Sequence, residues 1–237
     1  MNIFAFVGSN RGKDSSTYMV VEHLVNEICE KKSDNYVAMY TSRDIRVSSC
    51  MGCKACFQGL RCPQDKKDDF LKIKKEMLKS DIIILGTPVY AGTVSGEMKN
   101  LIDRISSWLH TMPLIGKMGI SIVTASGNHL QETNNYQRNI MEMMGLVVVK
   151  NILFTVDSPP MLEDQSYINE KLKRDAQYII QCMQNRELIQ VSGEQQLYYY
   201  YFRKLLMEGG GTAYEREYWE KSGYLESNHL NETIAKR

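Results

Sequence analysis

The stretch "SSCMGCKACFQGLRCPQDKKDDF" begins at Ser48 and holds Cys50, Cys53, Cys56 and Cys62, four of the six cysteines in the chain. Thiolates spaced C-x2-C-x2-C-x5-C and followed by Pro63 can wrap three corners of an iron-sulfur cubane, with Cys62 closing the fourth. Zinc prefers two cysteine pairs separated by a longer arm, and the sequence holds no second pair of that kind. Uncoordinated thiols are the third reading. Cys29 and Cys182 fall on helical patterns and read as small buried hydrophobes.

Three further stretches carry polar chemistry. "GSNRGKDSSTYMV", from Gly8 to Val20, combines glycine, hydroxyl residues and Arg11 ahead of a helix that opens near Ser15. Helix-start amides, hydroxyls and a guanidinium make an anion site suited to a terminal monophosphate. The pattern is neither the dinucleotide glycine motif nor a P-loop. Ordinary capping by Ser15 or Ser16 explains the same residues equally well. "GTPVYAGTVSGEMKNLIDR", from Gly86, offers Pro88 to stiffen a turn, Tyr90 as a flat face with a polar tip, and Gly92 for close backbone approach. "TASGNHL", from Thr124, adds small residues, exposed amides and the Asn128 amide group.

The elements that must position these loops follow from periodicity. Runs rich in β-branched and aromatic residues fall at 2–7, 36–40, 81–85, 119–124 and 147–154. Between them, apolar residues recur at helical spacing, as in Tyr18, Val21, Leu24, Val25 and Ile28, then Phe70, Ile73, Met77 and Leu78. Alternating strand and helix implies a parallel five-stranded sheet between two helical layers, an α/β three-layer sandwich. In such sheets the ligand lies beyond the carboxyl ends of the strands, where the winding reverses. With strand order 2-1-3-4-5, the three polar loops share one rim and have the makings of a flavin mononucleotide (FMN) site. The cysteine stretch follows the second strand and leaves by the same rim.

The whole chain of 237 residues, 43% apolar and 24% charged, suffices for one core and an appendage. "MNIFAFVGSN" shows neither a basic leader nor a cleavage-site pattern, and no apolar run is long enough to cross a membrane. A cytoplasmic, reducing location is therefore expected, with metal or redox ligation favoured over disulfides. A net charge of +1 gives no field for nucleic acid.

"GSNR" with Ser16 and Thr17, then "TPVYAGTVSGEMKNLIDR", resemble the NADPH-dependent FMN reductase family of flavodoxin-like proteins. The cysteine stretch narrows the resemblance to the iron-sulfur flavoprotein branch. It spans the first three quarters of the chain. It implies that Ser9, Arg11, Ser16 and Thr17 grip the FMN phosphate. Pro88, Val89, Tyr90 and Gly92, with Thr124, Ser126, Gly127 and Asn128, would flank the ring system. Cys50, Cys53, Cys56 and Cys62 would hold a [4Fe-4S] cluster. Quinone reductases of the tryptophan repressor-binding-protein type carry a histidine pair before the helix-ending glycine. Met143 and Met144 stand there instead, so quinone reduction is not carried over.

Two activities follow from the resemblance. One is an FMN oxidoreductase passing electrons from NAD(P)H to a small acceptor, with the nicotinamide stacking transiently. The other is an electron carrier fed through its cluster by a ferredoxin-like donor. His23 and His110 read as surface or boundary residues. His129 stands alone beside the ring edge. Asp103 and Arg104 read as an ion pair, and Asp68 and Asp69 as helix starters.

The organisation expected is a flavodoxin-like FMN-binding domain over 1–190, with the cysteine-rich loop at 48–63, and an aromatic helical extension over 191–237. The extension is too short for its own core. It is expected to lie across a neighbouring subunit of a homodimer or homotetramer, over its own flavin rim, or along an exposed sheet flank.

Overall fold

The first strand, β1 (Asn2–Val7), is buried on both sides: Ile3, Ala5 and Val7 enter one core cluster, while Phe4 and Phe6 enter another. Side chains alternate across a strand, so two buried faces mean a sheet covered on both sides. The structure, a computed structural model, describes residues 1–31, 34–157, 161–162 and 165–236. After β1 come α1 (Ser16–Glu30), β2 (Tyr36–Thr41), α2 (Phe70–Lys79), β3 (Ile82–Tyr90), β4 (Thr93–Val94), α3 (Gly96–Arg104) and α4 (Trp108–Thr111). They are followed by β5 (Met118–Ala125), α5 (Leu130–Met143), β6 (Val147–Asp157), β7 (Met161–Leu162) and α6 (Gln165–Gln184). The chain closes with α7 (Gly193–Met207), α8 (Ala213–Lys221) and α9 (Leu230–Ala235).

The long strands run in the order β2-β1-β3-β5-β6, all parallel. This is the expected five-strand order. Two short antiparallel additions, β4 on β3 and β7 on β6, were not foreseen. Each has two residues, too few to carry any periodicity. Helices α1 and α6 cover one face through Val21, Leu24, Ile28, Leu172 and Ile179. Helices α2, α3 and α5 cover the other through Ile73, Met77, Met98, Leu101 and Met141. Cys182 is fully buried in the first of these clusters and Cys29 packs against it, as their helical spacing predicts. Leu78, by contrast, is 45% exposed.

Because β1 turns to β2 on one side and the chain returns to β3 on the other, the carboxyl ends of β1 and β3 diverge in their onward connections and leave a crevice. Register aligns Val7 with Gly86, Gly86 with Ile122 and Pro88 with Thr124. The loops after β1, β3 and β5 therefore emerge side by side. Gly86 permits this spacing, since a Cβ there would sit 2.8 Å from Val21 Cγ2 on α1.

The aromatic C-terminal segment packs on its own chain. Tyr199, Phe202, Trp219 and Tyr224 form a third cluster with Met112 and Ile115, which follow α4. The sequence leaves this placement open. No helix among the described residues is long and apolar enough to cross a membrane.

Candidate functional site

Ser15 is the N-cap of α1: its Oγ accepts from the Tyr18 amide at 3.2 Å and donates to the Gly12 carbonyl at 2.8 Å. That bond occupies Ser15 with the helix and leaves the amides of Ser16 and Thr17, in the first turn, ahead of the first intrahelical acceptor. Ser9, at 1% exposure, receives the Arg11 amide on its Oγ at 3.4 Å. Arg11 is exposed, and its guanidinium has no hydrogen bond or ion pair among the described residues. Thr17 Oγ1 and Thr124 Oγ1 lie 2.6 Å apart in a buried bond that ties the first turn of α1 to the end of β5.

The segment after Leu85 does not leave the sheet at Gly86, as its glycine and proline predict. Thr87 and Pro88 continue pairing with β5, and the strand turns back at Tyr90 into β4. Ala91 and Gly92 form the two-residue turn with φ of 50° and 81°. Both central residues at positive φ define a type I′ hairpin, which suits strand twist and strains any residue bearing a Cβ. His129, also at positive φ (68°), stands beside this turn: a Cβ on Gly92 would sit 3.7 Å from its ring.

One cavity of about 110 Å³ joins these loops. Nine of the twelve expected binding residues line it: Ser9, Arg11, Ser16 and Thr17 from the first loop, Pro88, Val89 and Tyr90 from the hairpin, and Thr124 and Ser126 from β5 and its loop. Gly92, Gly127 and Asn128 stand outside the lining. Ser15, Ala125 and Val156 line it without having been expected; Val156 lies beyond the range read as the fifth strand.

The cysteines occupy a second cavity, of about 160 Å³, with a separate set of lining residues. Cys50, Cys53, Cys56 and Cys62 all line it, as free thiols, together with Phe57, Phe70 and Arg104. The Gly52 amide donates to Cys50 Sγ at 3.4 Å. Lys54 and Gly59, at φ of 59° and 73°, bracket the short 3-10 turn Ala55–Gln58 that carries Cys56. Among the described residues no three Cys, His, Asp or Glu side chains converge closely enough to hold a single metal ion. The thiols are donors spread around a hollow.

Arg104 holds this loop from below. Its side chain is 1% exposed, donates through Nη1 to Asp68 Oδ2 and, at 3.1 Å, to the Ser48 carbonyl, and stacks 4.4 Å from the Phe70 ring centroid. Nη2 reaches Asp68 Oδ1 at 3.4 Å, Cys62 Sγ at 3.7 Å and Asp65 Oδ1 at 3.7 Å. Burial works to raise the Asp68 carboxyl, but hydrogen bonds from Arg104 and from the Ser48 and Phe70 amides outweigh it and hold the group below its ordinary range. The expected pairing of Asp103 with Arg104 is thus corrected. Asp103 pairs with Lys99 on the exposed side of α3, because neighbours in a helix point to different faces. Asp69 precedes α2 without capping it and accepts the Arg46 amide at 2.9 Å instead.

The C-terminal helices reach the same loop. Thr212 Oγ1 donates to the Phe57 carbonyl at 2.9 Å, and the Tyr214 ring packs so closely on Gly59 that a Cβ there would sit 2.5 Å away. Burial, with Cys56 and Glu217 nearby, raises the Tyr214 hydroxyl. His110, a boundary residue as expected, has Nδ1 2.6 Å from Glu215 Oε1 and its ring 5.0 Å from that of Phe57. His23 lies 3.6 Å from Glu27 on α1, away from both cavities.

The model of the family described as NADPH-dependent FMN reductase matches residues 1–159. An iron-sulfur flavoprotein of Archaeoglobus fulgidus is 36% identical over 104 residues, which cover 44% of this chain and 48% of that protein. One of Methanocaldococcus jannaschii is 34% identical over 151 residues, covering 63% of this chain and 76% of that protein. The chain thus spans about half the length of the first relative and three quarters of the second. A solved flavone reductase matches with a TM-score of 0.62 at 14% identity, covering 81% of this chain and 66% of that one, a likeness of fold.

Proposed function

The chain belongs to the NADPH-dependent FMN reductase family, and from that premise we propose that it is an FMN-dependent oxidoreductase taking electrons from NAD(P)H and passing them to a small acceptor. The observation that carries this is the convergence of three strand-end loops on one cavity, hydroxyls and Arg11 at one end and the Pro88–Tyr90 hairpin at the other. Ser9, Ser16 and Thr17 with the first-turn amides would hold the phosphate, and Arg11 would neutralise it. The Thr17–Thr124 bond fixes the distance between the phosphate end and the ring end. Pro88, Val89 and Tyr90 would support one face of the ring, and Gly92, Gly127 and Asn128 would border its edge. Tyr90, 47% exposed, stands on the solvent side of the cavity, where a nicotinamide would have to approach. Bound FMN supplies the interchange between hydride and single-electron chemistry that no side chain performs.

Relatives named iron-sulfur flavoproteins favour an iron-sulfur group, and the C-x2-C-x2-C-x5-C spacing is the ground for proposing that it is a [4Fe-4S] cluster on Cys50, Cys53, Cys56 and Cys62. The fit rests on four free thiols round one cavity, with an amide and a guanidinium already directed at two of the sulfurs. A wide ring of donors suits a multi-iron cluster better than one tetrahedral ion, whose thiolates must each approach to about 2.3 Å. A cluster would supply one-electron storage. Such thiols call for a reducing compartment, consistent with a cytoplasmic site of action. The FMN-binding domain would occupy 1–190 and the extension 191–237, in a homodimer or homotetramer. Cys50 and Cys53 are exposed, which favours a second reading: a carrier that accepts single electrons from a ferredoxin-like donor.

Anaerobic stopped-flow mixing separates the two. The expected result is bleaching of the flavin by NADH or NADPH with no protein partner present. A flavin left oxidised by both nucleotides and reduced by ferredoxin would transfer the assignment to the carrier. Arg11→Ala is expected to weaken FMN binding roughly 10- to 150-fold, the equivalent of a charge-assisted bond of about 1.5–3 kcal/mol. Thermal stability of the apoprotein should hold, because the exposed Arg11 side chain supports no other group. Fluorescence titration with FMN measures the first effect and a melting curve the second.

A further inference from the structure

We propose that Arg104 is a positioning residue that sets the reduction potential at the cysteine site, acting through Cys62. The inference rests on the cluster reading above and deepens it. Arg104 lies in the wall of the cavity the four cysteines share, and its Nη2 is 3.7 Å from Cys62 Sγ. Its position is over-determined: Asp68 takes the guanidinium on two oxygens, Ser48 carbonyl takes Nη1, and Phe70 stacks against the plane. A side chain held on so many sides cannot swing away when charge at the sulfur changes.

Reduction adds one negative charge to a thiolate-ligated cluster. A fixed donor and cation at one ligand sulfur stabilises the more negative state and raises the potential. The other charges facing this wall set the balance. The side chains of Asp68 and Asp65 are both buried; Asp68 is paired with Arg104, while Asp65 lies between Arg104 at 3.7 Å and the largely exposed Arg61 at 3.9 Å, so among the described residues Arg104 is the one buried guanidinium facing both carboxylates. Lys54 and Lys74 also border the cavity. Lys74 lies 5.7 Å from the Phe70 ring centroid and 5.8 Å from that of Trp108. Without Arg104, Cys62 loses its cationic donor and the buried Asp68 carboxylate loses its ion-pair partner, while the solvent-exposed Arg61 compensates Asp65 only weakly, so the potential falls. A guanidinium serves where an ammonium would not, because its fork grips Asp68 with both arms while one of them also reaches the Cys62 sulfur.

The test is a redox titration of anaerobically iron- and sulfide-reconstituted holoprotein, followed by cluster absorbance and electron paramagnetic resonance, with iron and FMN counted. Two variants are compared with wild type. Arg104→Gln removes the charge and is expected to shift the oxidised-to-reduced ratio about tenfold or more toward oxidised, 59 mV lower for a one-electron couple. Arg104→Lys keeps the charge and the bond to Asp68, so it should load iron even where the glutamine variant does not, and it should show a smaller downward shift. The flavin potential, read in the same titration, should stay in place. A merely structural role would lower iron occupancy while leaving the potential of whatever cluster assembles unchanged. That outcome overturns the proposal, as does failure of both variants to load iron. If wild type itself takes up no iron, the cluster reading falls first, and the two failures are told apart by that control.

Discussion

Replacing Cys56 by serine is expected to abolish iron and sulfide uptake during anaerobic reconstitution while FMN stays bound. Cys56 sits half-buried in the 3-10 turn, whose backbone is bent at both ends by residues in the left-handed region. Its sulfur cannot be replaced by a neighbour without unwinding that turn. A serine hydroxyl stays protonated at neutral pH and is a poor ligand for iron, so three thiolates would be left to hold a four-cornered cluster. The cavity proposed for FMN shares none of its lining residues with the cysteine cavity, so its occupancy has no reason to change. Iron and acid-labile sulfide counts beside a flavin spectrum read both halves. Wild type that takes up zinc one-to-one, or C56S protein with undiminished iron, would refute the ligand assignment.

Trp219→Ala is the other large effect, with an expected loss of about 3–5 kcal/mol. Trp219 is fully buried, stacks on Tyr199 at 5.3 Å between ring centroids, meets Tyr224 edge-on at 5.5 Å, and donates its indole N–H to the His110 carbonyl at 2.7 Å. Alanine leaves a void and removes the partly buried bond to the His110 carbonyl. The loss falls on a cluster separate from the two that cover the sheet, so local undocking of α7 to α9 should precede global unfolding. Hydrogen exchange should accelerate in those helices and also over 55–59, which Thr212 and Tyr214 hold down. Exchange confined to α8, with 55–59 still protected, would show that the cysteine loop does not depend on the extension.

Much of this arrangement is visible in the sequence where one short range of residues determines it. Strand β1 spans the range its pattern predicts, and α1 opens where Ser15 can cap it. Strand β3 runs five residues past its predicted end, because parallel pairing with β5 overrides the breaking tendency of Gly86 and Pro88. The cysteines announce themselves by type and spacing. Arg104 does not, since its partner Asp68 is 36 positions away and the adjacent Asp103 offers a simpler pairing. The tail shows the same boundary: its aromatics declare a need for burial, but only tertiary packing assigns them to Met112, Ile115 and the cysteine loop.

Helix α3 begins where Ser95 caps it through the Met98 amide and bonds the Gly8 carbonyl, beside the first polar loop. It ends at Arg104, under the cysteines. Adding or deleting a single residue within it would turn everything downstream by about 100° around the axis, swinging the guanidinium out of its cavity while leaving Ser95 in place. The cysteine loop, free of regular pairing over most of its length, can gain or lose residues at little entropic cost. Among descendants of a common ancestor, the spacing before the last cysteine should therefore drift while the number of residues from Ser95 to Arg104 stays constant.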